Sequence, residues 1–294
     1  MSSILSDYYD TALSKVARHC PIGLLRKSAF RKFVRRNRYR TVISDCNLAF
    51  KIKTVIGDNV ENKIAVFGIF EEKTSLLIAS LTNATEAFID IGCNVGYFTC
   101  LYGSLARDNR VIAIDPNPKM TARTNENIEL NRLKLAKTLT LGIGSEFGSL
   151  KFYIPESRHS LASFAYKSPR GGDCLEIEAE MTTLDAILSQ HEMEGTVIKI
   201  DAEGFEYEVL KGLSEKNFDK VKYIICEICS KHLSKTCKTL EDLLSLPVLK
   251  HYDIYQITEN SRGILRQLPN ESINNSIGMN GNYLLVRPDC KIPL

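Results

Sequence analysis

Residues 87–99 read Ala87-Phe88-Ile89-Asp90-Ile91-Gly92-Cys93-Asn94-Val95-Gly96-Tyr97-Phe98-Thr99. Ala87–Ile91 has the length and apolar composition of a buried strand, and Tyr97–Ala106 reads as a helix, with two glycines between them. Gly92 and Gly96 let the backbone pass close to a ligand without a Cβ in the way. A helix starting straight after such a turn offers its N-terminus to a carboxylate or phosphate. A dinucleotide fingerprint would want G-x-G-x-x-G. Here Asn94 stands at the middle glycine, and the spacing spells D-x-G-x-N-x-G. That arrangement suits a single carboxylate better than a pyrophosphate.

Working outward, Val111–Ile114 reads as the next strand, Lys119–Leu130 as a helix and Thr138–Leu141 as a third strand. The pattern resumes later with helix Thr183–Leu188, strand Thr196–Ile200, helix Tyr207–Leu213 and strand Tyr223–Ile228. Alternating strands and helices with short connections predict a parallel sheet wound on both faces. Tyr252–Ile257 and Asn282–Val286 close it as an antiparallel pair. The alternation is broken at 149–180, where Leu150–Ile154 and Cys174–Ala179 read as strands flanking a long polar loop that contains His159. Upstream, the spacing predicts a basic helix after Pro21 and Gly23, two strands (Leu48–Ile56 and Lys63–Phe70) around the turn Gly57-Asp58-Asn59, and a helix over Glu72–Leu81. The expected organisation is an N-terminal extension over 1–84 and one α/β domain over 85–294.

Two further features carry chemistry. Asp115 ends the second strand, about 25 residues after Asp90. An acid there can accept hydrogen bonds from both ribose hydroxyls, or it can cap the helix that follows Pro116 and Pro118. Further on, Lys199-Ile200-Asp201-Ala202-Glu203-Gly204-Phe205-Glu206 sets three carboxylates at the carboxyl end of a buried strand, where open α/β sheets bind their ligands. These acids could serve the reaction, or Asp201 could cap the helix near Phe205 while Glu203 and Glu206 complement its dipole.

Taken together, FIDIGCNVGYFT, VIAIDPNP, the ENIELN helix, KIDAEGFE and YIICEI closely resemble the FkbM family of methyltransferases, from about Val66 to Leu285. The resemblance implies a class I, Rossmann-like α/β fold with a mostly parallel seven-stranded sheet and an antiparallel last strand. It also implies S-adenosylmethionine as cofactor and a hydroxyl of a sugar, glycolipid or natural product as acceptor. On matching positions, Asp90, Gly92, Asn94 and Gly96 would wrap the methionine end, Asp115 the ribose, and Ser145 and Glu146 would lie beside adenine. Asp201 and Glu203, with His159 as an alternative base, would face the acceptor. Three carboxylates could also hold a hard divalent cation, although no metal site is assigned. The chain departs from the family at Cys93, where alanine is usual, and at Cys229, where a histidine usually follows the fifth strand and His232 comes three residues later.

Composition narrows the alternatives. The chain has 294 residues, 44% hydrophobic and 25% charged, in the range of soluble globular proteins. No apolar run approaches the ~20 residues of a membrane helix, and the N-terminus lacks the layout of a secretory signal. Nine cysteines without a framework read as reduced thiols, and the expectation is a cytoplasmic protein. Cys226 and Cys229 read as structural rather than as a metal or redox pair. The net charge of +3 is unevenly spread, because residues 11–40 hold ten Lys and Arg and no acid. That basic segment has three readings: a helix packing its Phe30 and Phe33 side on the fold, a peripheral contact of residues 15–40 with an anionic membrane, or contact with an acidic acceptor or RNA. A NAD-dependent Rossmann oxidoreductase is disfavoured by the absent glycine and the acidic cluster. A nucleic-acid methyltransferase is disfavoured by Asp201-Ala202-Glu203-Gly204, which stands where such enzymes carry an Asn/Asp-Pro-Pro-aromatic tetrad, and no nucleic-acid partner is expected. A non-catalytic module retaining the fold would bind cofactor without turnover.

Overall fold

A computed structural model describes residues 13–19, 23–155, 162, 164, 174–258, 265–267 and 281–293. The chain divides into two compact units, Met1–Glu72 and Lys73–Leu294, where the strand alternation suggested a line at residue 84. Helix Glu72–Leu81 lies almost wholly in the larger unit, and its Ser75 hydroxyl donates to the Tyr97 hydroxyl there at 3.2 Å.

In the smaller unit, helix α1 (Gly23–Asn37) is followed by an antiparallel hairpin of β1 (Thr41–Asp45) and β2 (Lys51–Val55) and by helix α2 (Asn59–Phe67). The expectation of a strand over Lys63–Phe70 is therefore corrected to a helix, and the expected strand Leu48–Ile56 is found as Lys51–Val55, paired with the unexpected strand Thr41–Asp45. Asp58, read as part of a strand turn, is the helix N-cap, and its side chain accepts from the Val60 N–H at 2.8 Å. Gly68 closes the helix in the left-handed region at φ 67. Ala29 and Phe33 of α1 pack with Ile56, Ala65 and Val66, and Phe30 stacks on Phe67 with centroids 5.6 Å apart.

The larger unit is built on a sheet in the order β12-β11-β13-β10-β9-β3-β4-β5. Its strands are β3 (Ala87–Ile91), β4 (Arg110–Ile114), β5 (Ala136–Leu139), β9 (Thr196–Ile200), β10 (Val221–Ile228), β11 (Asp253–Ile257), β12 (Leu265–Gln267) and β13 (Gly281–Val286). The run from β5 to β10 is parallel, and β13 lies antiparallel between β10 and β11. This is the class I, Rossmann-like α/β arrangement of seven mostly parallel strands, with three-residue β12 added at the edge. A separate three-stranded sheet of β6 (Gly142–Gly144), β7 (Gly148–Pro155) and β8 (Cys174–Thr183) accounts for the break in the alternation.

Strand periodicity sorts the side chains of β3 to opposite faces. Ala87, Ile89 and Ile91 enter the main core with Ile198, Ile200, Ile224 and Leu285, while Phe88 stacks on Tyr102 of helix α4 (Tyr97–Leu105) at 4.8 Å. Asp90 shares the Phe88 face, and Lys199 on β9 sits opposite it in register. The carboxyl ends of β3, β4 and β9 thus meet at the point where the chain leaves the sheet in both directions, the switch point at which such sheets bind ligands. Among the described residues, no helix is long and apolar enough to cross a membrane.

Candidate active site

The turn after β3 is held from every side. Gly92 adopts φ 78, and a Cβ there would meet the Asp201 carbonyl oxygen at 1.9 Å. Gly92 and Cys93 N–H groups both donate to the Ile114 carbonyl, at 2.9 and 3.1 Å, and the Asp201 N–H donates to that of Ile91 at 3.0 Å. Asn94 sits at φ 51, a left-handed conformation that asparagine tolerates. Its carbonyl accepts from the Thr124 hydroxyl at 2.7 Å, and the Val95 carbonyl accepts from the Asn127 side-chain amide at 2.8 Å. Thr124 and Asn127 lie on helix α5 (Pro118–Leu130), which therefore clamps a loop about 30 residues upstream. Sequence reading missed both. Their only local signal is a polar side chain on the buried face of a helix.

Asp90 is buried beside this turn. One of its oxygens accepts from the Thr99 N–H at 3.0 Å and the Thr99 hydroxyl at 2.6 Å, which anchors the first turn of α4. Burial pushes its carboxyl up to about 6, against the pull of the Thr99 hydrogen bond and of Lys199. Asp90 therefore shapes the turn by holding the first turn of α4.

Asp115, also buried, spans two loops. It accepts from the Asn94 N–H at 3.1 Å through one oxygen and from the Asn117 N–H at 2.9 Å through the other. The helix cap is Asn117, whose side chain accepts from Lys119 N–H at 3.0 Å, so of the two readings of Asp115 the capping one falls away. Each Asp115 oxygen keeps a lone pair, which is the acceptor set a vicinal diol needs. Desolvation raises this carboxyl to about 7.

At the tip of β9 the three acids part company. Glu206 turns back on its own loop, accepting from the Ala202 N–H at 3.2 Å and the Gly204 N–H at 3.0 Å, and is structural. Asp201 does not cap the helix α7 (Glu206–Lys211), whose first position has no side-chain cap. Its carboxylate instead lies 3.5 Å from the ammonium of Lys199, which is fully buried under the Phe98 ring, while 28% of the Asp201 side chain stays exposed. Glu203 occupies φ 50, an uncommon conformation for a residue of its kind. Its carboxyl is pushed up to about 8, first by burial and then by the charges of Asp201 and Glu206.

One oxygen of Glu203 lies 3.2 Å from Nδ1 of His232, which burial holds below its ordinary value. Both shifts favour a protonated carboxyl against a neutral imidazole over an ion pair. His232, in the helix Ser230–Leu233 after β10, thus meets the acid loop although it stands three residues past the place where the family carries histidine. Glu227 on β10 brings a carboxylate oxygen within 4.8 Å of one of Asp201, so it points to the open end of its strand. Ser145 donates to Glu208 on α7 at 2.7 Å, and Glu146 is exposed. His159 lies outside the described residues.

Residues 90–255 match the model of the methyltransferase FkbM domain, more than half of the chain. The chain belongs to the FkbM methyltransferase family. It is similar to "Methyltransferase sdnD" of Sordaria araneosa, 25% identical over 167 residues that cover 47% of this chain and 64% of that one. It is also similar to "Hexuronic acid methyltransferase AglP" of Haloferax volcanii, 27% identical over 176 residues covering 60% and 68% of the two chains. The match therefore spans just under two thirds of the Sordaria protein's length. A solved O-methyltransferase from Bacillus cereus aligns over 74% of this chain and 82% of its own at 11% identity and a TM-score of 0.39, a likeness too distant to decide anything. Membership rests on the FkbM match, whose span runs from Asp90 at the glycine turn to beyond Glu227.

Proposed function

We propose that this FkbM protein transfers a methyl group from S-adenosylmethionine to a hydroxyl oxygen of a sugar or small natural product. The observation that carries the reading is the cradle where β3, β4 and β9 end: a turn at Gly92 that no side chain could share with the Asp201 backbone, beside the doubly seated Asp115 carboxylate. The residues present fit such a cofactor. Gly92 and Gly96 let the turn close against the Asp201 backbone and Thr124, so that the loop through Asn94 can offer its backbone to the methionine end, Asp115 offers acceptors to the ribose, and Asp201 stands next to both. Ser145 and Glu146 are assigned to the adenine side on the resemblance alone.

When bound, the sulfonium supplies an activated methyl group with a good leaving group. The remaining work of the protein is alignment, which can contribute ~7–11 kcal/mol, and removal of the hydroxyl proton, worth ~10²–10⁴-fold. Asp201 holds the acceptor hydroxyl and takes its proton as the oxygen attacks. Its carboxylate lies 3.5 Å from the Lys199 ammonium and is partly open to solvent. Glu203, with its proton held at neutral pH, adds a second acceptor for that hydroxyl once it ionises. His159 is the alternative base. A divalent cation held by the acid cluster would make turnover fall on treatment with EDTA. The relative named for hexuronic acid supports a sugar as acceptor.

Asp201→Asn tests this. Affinity for S-adenosylhomocysteine should stay within about twofold while turnover drops on the order of 100-fold or more. Near-normal turnover would remove Asp201 from the mechanism. An acceptor methylated as an alkali-labile ester would overturn the hydroxyl assignment.

A further inference from the structure

Helix α1 divides its surface between two tasks. Ala29, Phe33 and Asn37 are buried, with Phe30 and Val34 packed beside them, so the apolar stripe of the helix is taken up by the core of its own unit. The opposite stripe is Leu24, Ser28, Arg31 and Arg35, all exposed, with exposed Lys27 and Lys32 on its flanks. Among the described residues no carboxylate pairs with Lys27, Arg31, Lys32 or Arg35. At the N-terminal end of this cationic face Leu24 is 81% exposed and Leu25 51%.

We propose that this outward face of α1 docks on an anionic lipid bilayer. Charge complementarity selects an anionic surface, because residues 11–40 hold ten Lys and Arg and no acid. The exposed leucines select lipid over nucleic acid. Beside a phosphate backbone they gain nothing, whereas a bilayer removes their apolar area from water. Neither signal suffices alone, and stable peripheral binding takes two. Because the apolar stripe of the helix is already buried in protein, α1 lies on the headgroups with only its leucine end inserted. Each Lys or Arg held at such a surface strengthens binding by about fivefold.

The test is flotation of the full chain with phosphatidylcholine vesicles containing about one third phosphatidylglycerol, against pure phosphatidylcholine vesicles. The chain should rise with the anionic vesicles only, and salt at about 0.5 M should release it. The triple variant R31E/K32E/R35E should weaken the partition at least about 100-fold, with an unchanged melting temperature because these side chains face water. Leu24→Ser with Leu25→Ser should weaken it roughly tenfold at unchanged charge; this pair decides the matter should the triple variant fail to fold. The proposal is overturned if the chain stays down with anionic vesicles, or if neither variant changes its partition. It is also overturned if a single-stranded RNA oligomer is bound through the same basic residues while vesicles are ignored. None of these readouts depends on methyl transfer.

Discussion

Replacing Gly92 by alanine tests the cradle most directly. The new Cβ would stand 1.9 Å from the Asp201 carbonyl oxygen and 2.9 Å from its carbon, where carbon–oxygen contacts normally begin near ~3.3 Å. The obstacle is backbone, so the tips of β3 and β9 must part by more than ~1 Å. That movement strains the 3.0 Å hydrogen bond from the Asp201 N–H to the Ile91 carbonyl, which joins the two tips. Holding an alanine at φ 78 costs a further ~1–2 kcal/mol. With ~1 kcal/mol for the weakened bond and some residual overlap, the variant should lose ~2–4 kcal/mol of stability. For a chain of this size that lowers Tm by about 5–15 °C. Thermal melting by circular dichroism reads the first effect, and calorimetry with S-adenosylhomocysteine should show weakened binding. Gly96→Ala is the internal comparison. Its Cβ would meet a side-chain methyl of Thr124 at 2.7 Å, which can yield, so it should melt above Gly92→Ala. A Gly92→Ala protein that melts like the parent and binds the nucleoside undiminished would refute the close approach of the two strand tips.

Asp115→Asn should weaken S-adenosylhomocysteine by ~10–100-fold, the loss of charge-assisted bonds of ~1.5–3 kcal/mol, and titration calorimetry measures it. Asn127→Ala leaves the Val95 carbonyl without its 2.8 Å donor, and should cost ~1–3 kcal/mol in a melt. Glu203 makes stability depend on pH. Its folded carboxyl sits at about 8 against an ordinary 4.5, so between those values the folded chain holds a proton that the unfolded chain has released. Stability should therefore fall as pH rises through that window, by as much as ~1.4 kcal/mol per pH unit for one such group. Glu203→Gln should melt above the parent at pH 8 and converge with it near pH 5; a constant difference would deny the shift.

The sheet was legible because its signals are local. Strands such as Ala87–Ile91 and Thr196–Ile200 are short apolar runs bounded by glycine or acid, and the structure returns the same limits. The smaller unit misled for a physical reason. Ile64-Ala65-Val66-Phe67 is a continuous apolar run, which fits a buried strand and a helix alike. Caps at Asp58 and Gly68 decide for the helix, yet Gly57-Asp58-Asn59 is also what a hairpin turn would carry. In the site, glycines and carboxylates advertise themselves by type. Thr99, Thr124 and Asn127 do not, since their meaning lies in a carboxylate or backbone carbonyl that only the folded chain brings within 3 Å. His232 stands three residues past the family's histidine place, and what brings it to the acid loop is the adjacency of β9 and β10, whose loops meet at Gly204 and Glu203.

These two halves of the site are held in opposite ways, and that difference bears on function. Around Gly92 and Asn94 the holding interactions are mostly neutral hydrogen bonds to backbone from α5 or a neighbouring strand tip, joined by the Asp115 carboxyl that accepts from the Asn94 N–H. At the tip of β9 the holding groups are themselves titratable: Glu206 folds the loop, Glu203 is kept protonated by burial, and the Lys199 ammonium lies 3.5 Å from Asp201. On the proposed reading, cofactor affinity should rise as Asp115 ionises near pH 7, while the acidic loop at the tip of β9 would let one carboxylate take up a proton as bonding changes. Binding and turnover should therefore separate on mutation and on titration. Changes around Gly92 should reach both, since on the proposed reading the cradle positions the methyl group, whereas changes at Asp201 or Glu203 should reach turnover and leave cofactor binding in place.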